Sequence, residues 1–426
     1  MTPGDDRGTR DSGAILTLRE HLVDRGAYIN DGIACADIVS GDGFSYRGVR
    51  ALRDLDRDEV LVSIPEPLLL SVRSAKRDPD IQRAIRSVGR VASQLSDQSL
   101  LAVHLLHEAS KGKASPHHAH FKTLPLAFDN FLYLSDAAVD SLGACHSHAA
   151  REAAHAKAQC LESFRDTQPL MWALNMPDKL TGLSAYRWAI SCIQSRTMFM
   201  AGDTVGCLTP YGDLHNHTPW RRPVTLWDAG DADGEDESAV AGEGFFDEAR
   251  QRYQVVTRVP VPAGQQVFLT YGRPTNLTLF GQYGFVLDHN AWDTCVIPLG
   301  HLPERIQRHV SQQACFLHAN GSPSFDLMRG VRLGVLKDKE RKRWASVILD
   351  DRGVVEGDCE TRAVLALRSI VSKLLDREIQ ARELVAETSS PPSRETLDWH
   401  WRSTQRRILL KCLRGLKGPD DRNRRV

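Results

Sequence analysis

The chain has 426 residues, of which 42% are hydrophobic and 25% are charged, and this composition is typical of a globular protein with room for two or three domains. Its 54 basic side chains balance its 54 acidic ones, so no net charge attracts it to nucleic acid or to an anionic membrane. No stretch approaches the roughly 18 apolar residues that span a bilayer, and the polar first residues do not form a signal peptide. We therefore expect an intracellular protein, cytoplasmic with the nucleus as a second location, that has no direct nucleic-acid partner and no membrane partner.

The first elements predicted are short strands joined by turns, within residues 33–71. Apolar residues alternate along Val60–Pro65, as they do in a half-buried strand, and glycines punctuate the segment before it. From about residue 78 to Arg196 the apolar period becomes helical. Ser96 can cap a helix that places Leu101 and Leu105 on one face. A later helix leads to Arg196 and carries the stripe Leu183, Tyr186, Ile190 and Ile193.

Strands return after residue 250 and give way to helices near residue 291. Two predicted strands, at 253–259 and 266–270, flank a turn rich in proline and glycine. The second strand ends at Tyr271, and Gly272 follows it. Beyond residue 291 the periodicity predicts mostly helix. The final helix is basic and carries Trp399 and Trp401, and such a helix is usually a solvated face.

Residue types that bind metals are common in the chain, but their spacing does not indicate a metal site. The nine cysteines include no Cys-x-x-Cys pair, which argues against a zinc cluster and against a disulfide framework. The histidines between residues 104 and 155 lie in sequence rich in Ala, Ser and Lys, so we predict that they are surface side chains. The acidic residues 228–248 lack calcium-loop spacing and indicate an exposed loop. We expect no metal.

One short polar stretch, residues 210–219, lies between two prolines and holds Asp213, His215, Asn216 and His217. Taken alone, Asn216 begins an N-glycosylation sequon, and His215 and His217 form a weak metal pair. Neither interpretation gains support elsewhere in the sequence. A second segment downstream, which ends in Tyr271, gives the stretch its weight.

Five segments occur in an order that resembles a known family. They are Arg47-Gly48-Val49 with Val60–Pro65, then Tyr186-Arg187-Trp188-Ala189 with Ser195-Arg196, then Asp213-Leu214-His215-Asn216-His217, then Thr270-Tyr271-Gly272, and finally Gln282-Tyr283-Gly284-Phe285-Val286. Together they resemble a SET-domain methyltransferase, and more narrowly the Rubisco large-subunit methyltransferase class. The resemblance covers nearly the whole chain.

The resemblance implies an α+β protein with a pseudoknotted, β-rich SET domain that is split by a helical insert and followed by an all-α C-terminal domain. We expect an N-terminal segment and helix at 1–30 and a SET domain at 31–290, divided into 31–77, a helical insert at 78–190, and 191–290. Residues 291–426 then form the helical substrate-binding domain. We expect a monomer whose partner is a protein substrate.

The resemblance also implies the roles of particular residues. In the family the Asn-His pair binds S-adenosylmethionine, and His215 gains no role. The implied cofactor-binding residues are Arg47, Gly48, Arg196, Asp213, Asn216, His217 and Tyr271. Tyr271 matches the catalytic tyrosine, whose hydroxyl orients the methyl and the incoming amine without becoming a nucleophile. Tyr283 and Phe285 are expected to line the substrate channel, and the chemistry needs no metal.

Two questions stay open at the level of sequence. The acceptor is expected to be a lysine, which is the commoner activity of the family, but some relatives methylate a histidine in actin. The second question is whether the chain is an active enzyme or a catalytically weak SET fold that binds partners. Tyr46 precedes Arg47 where family members often carry glycine, and a tyrosine lacks glycine's conformational freedom. Asn216, His217 and Tyr271 favour the enzyme, whereas Tyr46 favours the binding module.

Overall fold

A computed structural model describes residues 13–39, 45–89, 95–145, 147–218, 242–349, 358–388 and 397–416. The strands are β1 Tyr28–Ile29, β2 Ile33–Val39, β3 Ser45–Ala51, β4 Val60–Pro65, β5 Leu70–Ser71, β6 Thr197–Met198, β7 Cys207–Leu208, β8 Asn216–His217, β9 Gly242–Asp247, β10 Arg252–Thr257, β11 Phe268–Leu269, β12 Thr294–Val296 and β13 Phe316–His318. The helices are α1 Gly13–Val23, α2 Val72–Arg77, α3 Pro79–Val88, α4 Asp97–Ser110, α5 His118–Phe121, α6 Asp136–Cys145, α7 Ser147–Ala173, α8 Asp178–Thr181, α9 Leu183–Arg196, α10 Asn276–Thr278, α11 Glu304–Gln307, α12 Phe325–Val335, α13 Asp338–Leu349, α14 Asp358–Thr388 and α15 Leu397–Gly415.

The described residues form two compact units. The first unit holds those up to residue 132, those from 156 to 218 and those from 242 to 273. The second unit holds residues 133–155 and the described residues from 274 onwards. The domain bounds expected from the sequence, at residues 30, 77, 190 and 290, remain predictions. Among the described residues, no helix is long and apolar enough to cross a membrane.

The first unit is built on a six-stranded sheet with the order β1-β4-β10-β9-β11-β8. The antiparallel pair β4 and β10 lies in its middle, and Leu61, Val62 and Ile64 of β4 are buried. Side chains alternate along β10, where Tyr253 and Val255 are buried, as expected for a strand with one face on a core. Burial of this apolar surface is the main source of the unit's stability.

Strand β9 corrects one expectation. Residues 228–248 were expected to form an exposed loop, and residues 219–241 lie outside the described part of the chain. Gly242–Asp247, however, form a strand that pairs antiparallel with β10, with Phe246 opposite Tyr253. Phe246 is buried. The expectation is wrong for this segment because burial of an aromatic side chain outweighs the polar composition around it.

The chain crosses itself at β8 and β11. These two strands pair in parallel, with Phe268 opposite Asn216 and Leu269 opposite His217. Just before β11, the amide of Val267 donates to the carbonyl of Val49 on β3 at 2.8 Å. The segment that ends in β11 therefore joins β3 to β8, which are far apart in the sequence. This crossing places Asn216 beside β3.

The second unit is mainly helical. Helix α14 packs against α12 and α15, and its stripe of Leu367, Val371 and Leu374 is buried, as the periodicity predicts. The unit also contains one small antiparallel ladder between β12 and β13, whose β-branched and aromatic residues suit strands. The predicted α+β class is confirmed, with this ladder as an addition to the helices of the C-terminal part.

Candidate active site

Asn216 and Gly48 meet where β8 approaches β3. The Asn216 side-chain amide donates to the carbonyl of Arg47 at 2.9 Å. A Cβ atom on Gly48 would lie 2.5 Å from Asn216 Nδ2 and 2.5 Å from Gln266 Nε2, which is far inside van der Waals contact. A larger residue at position 48 would therefore displace the ends of the Asn216 and Gln266 side chains. Gln266 Nε2 is buried there without a hydrogen-bond partner, which leaves a donor for a ligand.

Tyr271 is fixed at both ends by the segment that contains Asn216. Its hydroxyl donates to the carbonyl of His215 at 2.7 Å, and its backbone amide donates to His217 Nδ1 at 3.0 Å. The rings of His217 and Tyr271 also stack, with centroids 4.9 Å apart and planes at 22°. Because Nδ1 of His217 accepts this hydrogen bond, the neutral ring carries its proton on Nε2. The phenol is thus held in one orientation before any ligand binds.

The turn before β8 is strained. Tyr211 is buried and has a φ angle of +66°, which costs on the order of 1–3 kcal/mol for a residue other than glycine. It leads into a 3₁₀ turn at Gly212–Leu214. His215 Nδ1 lies 2.9 Å from the Gly212 carbonyl and holds the end of the turn. The sequence assigns no role to His215. In the structure, its main-chain carbonyl accepts from the Tyr271 hydroxyl, and the turn orients this carbonyl.

Asp213 lies at the centre of a buried cluster of charges. Its Oδ2 accepts from His120 Nε2 at 3.0 Å, and both side chains are 1% exposed. Arg196 Nη1 lies 3.7 Å from the same oxygen and donates to the Asp213 carbonyl at 2.9 Å. Burial by itself would raise the pKa of Asp213, but the charges of His120, Arg196 and Arg47 hold it below its ordinary value. Asp213 therefore stays ionised and anchors the turn that carries His215 and Asn216.

Several histidines correct the expectation of surface side chains. His104, His107, His117 and His120 are all buried; His155 is exposed, and His146 lies outside the described residues. The informative signal was the nearly continuous apolar run from Leu100 to Leu106 on α4, since a helix that is hydrophobic all round is buried. That signal would place His104 and His107 inside. It could not have paired His120 with Asp213.

The other predicted site residues fall in two places. Arg47 belongs to the first unit, where its guanidinium donates to the Thr123 carbonyl at 2.6 Å. Tyr283 and Phe285 belong to the second unit, where their rings are 6.1 Å apart at 70°. Burial raises the pKa of Tyr283. The structure brings Arg47, Gly48, Arg196, Asp213, Asn216, His217 and Tyr271 together within one unit, whereas the channel role of Tyr283 and Phe285 stays a prediction.

The buried histidines make the protein sensitive to acid. Burial lowers the pKa of His215 and of His217 to about 4, whereas an unfolded histidine titrates near 6.5. Between these values the unfolded chain binds more protons than the folded one, so stability is complete above pH 6.5 and is lost as the pH falls towards 4. At about 1.4 kcal/mol per pKa unit, each histidine contributes on the order of 3 kcal/mol to this loss.

Urea unfolding at pH 7.5, 6 and 5 measures the effect. We expect the free energy of unfolding to fall steeply below pH 6.5, and less steeply in His215→Gln. The control His155→Gln replaces an exposed histidine and should keep the parent slope. A parent protein equally stable at pH 7.5 and 5 would contradict neutral burial of these rings.

Similarity to known proteins agrees with this geometry, although no family model matches the chain. Protein SET DOMAIN GROUP 40 of Arabidopsis thaliana is 28% identical over 329 residues, which cover 75% of this chain and 65% of that protein. The actin-histidine N-methyltransferase of Homo sapiens is 26% identical over 274 residues, which cover 59% of this chain and 40% of that protein. The chain thus matches less than two thirds of the length of these relatives.

Solved structures share the fold over nearly the whole chain. Rubisco LSMT bound to sinefungin and monomethyllysine has a TM-score of 0.64, with 97% of this chain and 96% of that one covered at 18% identity. The SET domain of LSMT bound to lysine and AdoHcy has a TM-score of 0.63, with 97% and 95% covered at 18% identity. The chain therefore shares the fold of Rubisco LSMT and is similar in sequence to SET-domain proteins. The resemblance to the Rubisco large-subunit methyltransferase class that the sequence predicts is confirmed.

Proposed function

We propose that this protein is an S-adenosylmethionine-dependent methyltransferase that modifies a lysine side chain of a protein substrate. The observation that carries the proposal is the Tyr271 hydroxyl, fixed by the His215 carbonyl beside the Asn216 and Gly48 contact. The names of its relatives support the reaction type, since one is an actin-histidine N-methyltransferase. Rubisco LSMT, which shares the fold, has been solved with AdoMet.

The residues around the crossing suit S-adenosylmethionine. The side-chain nitrogen of Asn216 donates to the Arg47 carbonyl. Its side-chain oxygen is left to accept a hydrogen bond from the ammonium group of the cofactor. The close approach at Gly48 and the buried, unbonded amide of Gln266 provide further contacts. Arg196, Asp213 and His217 would hold the walls of this site in place. When bound, the cofactor supplies a methyl group on a positively charged sulfur.

Methyl transfer is a direct displacement, so the protein must align the acceptor and exclude water. The Tyr271 hydroxyl donates its hydrogen bond to the His215 carbonyl, so towards a further partner its oxygen can only accept. It is therefore suited to orient C–H and N–H donors and is not itself a nucleophile. A lysine acceptor must first lose a proton, which at pH 7 costs about 4–5 kcal/mol for a reference pKa near 10.4. A desolvated channel lowers that cost.

A histidine acceptor is the alternative. An actin-histidine N-methyltransferase is among the sequence relatives, and a histidine with a pKa near 6.5 is already largely neutral at pH 7. Lysine is favoured because the structure that shares the fold over 97% of the chain holds monomethyllysine. The two acceptors differ in pH dependence. Labelling of a lysine rises with pH well above 8, whereas labelling of a histidine levels off near 7.5.

A catalytically weak binding module is the second alternative, and Tyr46 is the residue that favoured it. Tyr46 is 41% exposed, and its hydroxyl donates to Gln266 Oε1 at 3.3 Å. The close approach to Asn216 is made by Gly48 instead. Tyr46 therefore leaves the contact between β3 and β8 intact, and this supports an active enzyme.

Calorimetric titration with S-adenosylmethionine tests the proposal. We expect binding by the parent protein and at least about tenfold weaker binding by Asn216→Ala, since a hydrogen bond to a charged group contributes about 1.5–3 kcal/mol. Asn320→Ala is the control, because Asn320 is exposed in the second unit, and it should bind as the parent does. Absence of binding by the parent would favour the binding module.

Mass spectrometry of lysate proteins labelled by the parent identifies the acceptor. We expect methyl-lysine on one or a few proteins. Methyl-histidine instead would move the assignment to the alternative acceptor while leaving the cofactor and the fold unchanged.

A further inference from the structure

A second cluster of ligand-type side chains lies between helices α3 and α4. It comprises Asp78 and Asp80 at the start of α3, and His104, His107 and Glu108 on α4. Its potential ligand atoms form two groups of three, Asp78 with His104 and Glu108, and Asp78 with Asp80 and His107. Within each group all the atoms lie within 4.8 Å of one another. Both groups share Asp78.

The imidazoles of this cluster are buried but unsatisfied. The side chains of His104 and His107 are 4% and 8% exposed. His104 Nδ1 and both ring nitrogens of His107 have no hydrogen-bond partner. Buried polar atoms in native proteins are nearly always paired, with protein, water or an ion. Three unpaired nitrogens within one helical turn therefore call for a ligand.

The potential ligand atoms lie slightly further apart than ligands that share a metal ion. His104 Nδ1 lies 4.0 Å from Asp78 Oδ2, which is too far for a hydrogen bond. Two ligands each about 2.0–2.1 Å from a zinc ion are about 3.4 Å apart in tetrahedral geometry, so a bound ion would draw these two atoms together by about 0.6 Å. Asp78 Oδ1 already caps α3, where it accepts from the amides of Asp80 and Ile81. Its Oδ2 is thus the atom that faces the cluster.

The same position already attracts a cation. Lys111 Nζ lies 2.5 Å from Glu108 Oε1 and 3.2 Å from Asp78 Oδ2. The Lys111 side chain is 27% exposed, so it can turn towards solvent. The other Glu108 oxygen accepts from Ser115 Oγ at 2.6 Å, a partner that orients the carboxylate as second-shell groups orient metal ligands.

Of the two groups, the one with His104 is the better metal site. Asp80 in the other group already forms an ion pair with Arg83 at 2.9 Å. In the group with His104, the cation that pairs with both Asp78 and Glu108 is Lys111. We propose that the three side chains of this group bind a divalent transition-metal ion, with zinc as the best match to one nitrogen and two carboxylate donors, and that the ion displaces the Lys111 ammonium. The ion would join α3 to α4.

The full-length protein, stripped with EDTA and dialysed, tests the site by zinc titration and elemental analysis. We expect one zinc per chain and at least tenfold weaker binding in His104→Gln. Lys111→Gln should bind zinc more tightly than the parent, because the substitution removes the competing cation. It also removes the ammonium group that pairs with both buried carboxylates, so zinc should raise the melting temperature of Lys111→Gln more than that of the parent.

Two control variants make the test specific. His155→Gln replaces an exposed histidine and should bind zinc as the parent does. His107→Gln should weaken binding less than His104→Gln. The assignment would be overturned if the parent and His104→Gln bound zinc with equal affinity, or if only His107→Gln lost affinity. It would also be overturned if Lys111→Gln neither bound zinc more tightly than the parent nor was stabilised by zinc. The site is independent of methyl transfer, so its failure leaves the proposed function standing.

Discussion

Tyr271→Phe is expected to lower methyl transfer about 100-fold or more, the usual effect of removing one preorganised polar group from an active site, and to leave affinity for S-adenosylmethionine within about twofold. The substitution removes only the hydroxyl that donates to the His215 carbonyl at 2.7 Å. The ring that stacks on His217, and the backbone amide that donates to it, remain. The loss should therefore appear in kcat. Transfer of labelled methyl groups into lysate proteins and calorimetric titration of the cofactor measure the two quantities.

Tyr186→Phe is the matched control for this experiment. Tyr186 is fully buried, and its hydroxyl donates to Ser99 Oγ at 3.2 Å, so its replacement also removes a buried hydroxyl. We expect a modest loss of stability with methyl transfer close to that of the parent. Equal labelling by Tyr271→Phe and the parent protein would remove Tyr271 from the mechanism, whatever the control does.

The sequence could predict the residues of the crossing but not how they hold one another. Asn216, His217 and Tyr271 were identifiable because their side chains carry the family pattern, and the structure brings all three together. The acceptor for the Tyr271 hydroxyl is a main-chain carbonyl, which every residue has and no sequence pattern marks. The reason for glycine at position 48 is likewise visible only in the structure, where a Cβ atom would lie 2.5 Å from Asn216 Nδ2.

Burial was the other property that the sequence could not supply. His120 stands among polar residues and looks like a surface histidine, yet it is 1% exposed, because α5, on which it lies, packs against α1 and α4 and its ring contacts Asp213. Local composition reports an average environment, whereas burial depends on contacts between segments distant in sequence. The same limit applies to Tyr46, which stands where family members often carry glycine and therefore favoured the binding module. Its side chain points to solvent and to Gln266. The close approach between β3 and Asn216 is made two residues further on, at Gly48.

Asp213→Asn is expected to destabilise the first unit by about 3–5 kcal/mol, the usual cost of removing one partner from a buried ion pair. The amide keeps the volume of the side chain but removes the charge that compensates Arg196 and His120, both buried or half-buried beside it. Asp213 belongs to the turn that aims the His215 carbonyl and Asn216. Affinity for S-adenosylmethionine should therefore fall with stability. Urea unfolding and calorimetric titration of the cofactor report the two losses.

The size of the loss should follow the hydrogen bonds that each variant keeps. His120→Gln retains a donor for Asp213 and should lose less stability than His120→Ala, which leaves the carboxylate with only the charges of Arg196 and Arg47 among those that lower its pKa. Asp326→Asn is the control, because Asp326 forms an ion pair with Arg329 while 40% exposed, and exposed pairs contribute little.

Since the pKa of Asp213 is below its ordinary value, its contribution to stability is complete above pH 4 and is lost as the pH falls through the folded pKa. Asp213→Asn should accordingly lose less stability than the parent on acidification below pH 4. If the variant is as stable as the parent at pH 7 and binds the cofactor equally well, the charge cluster does not hold the site.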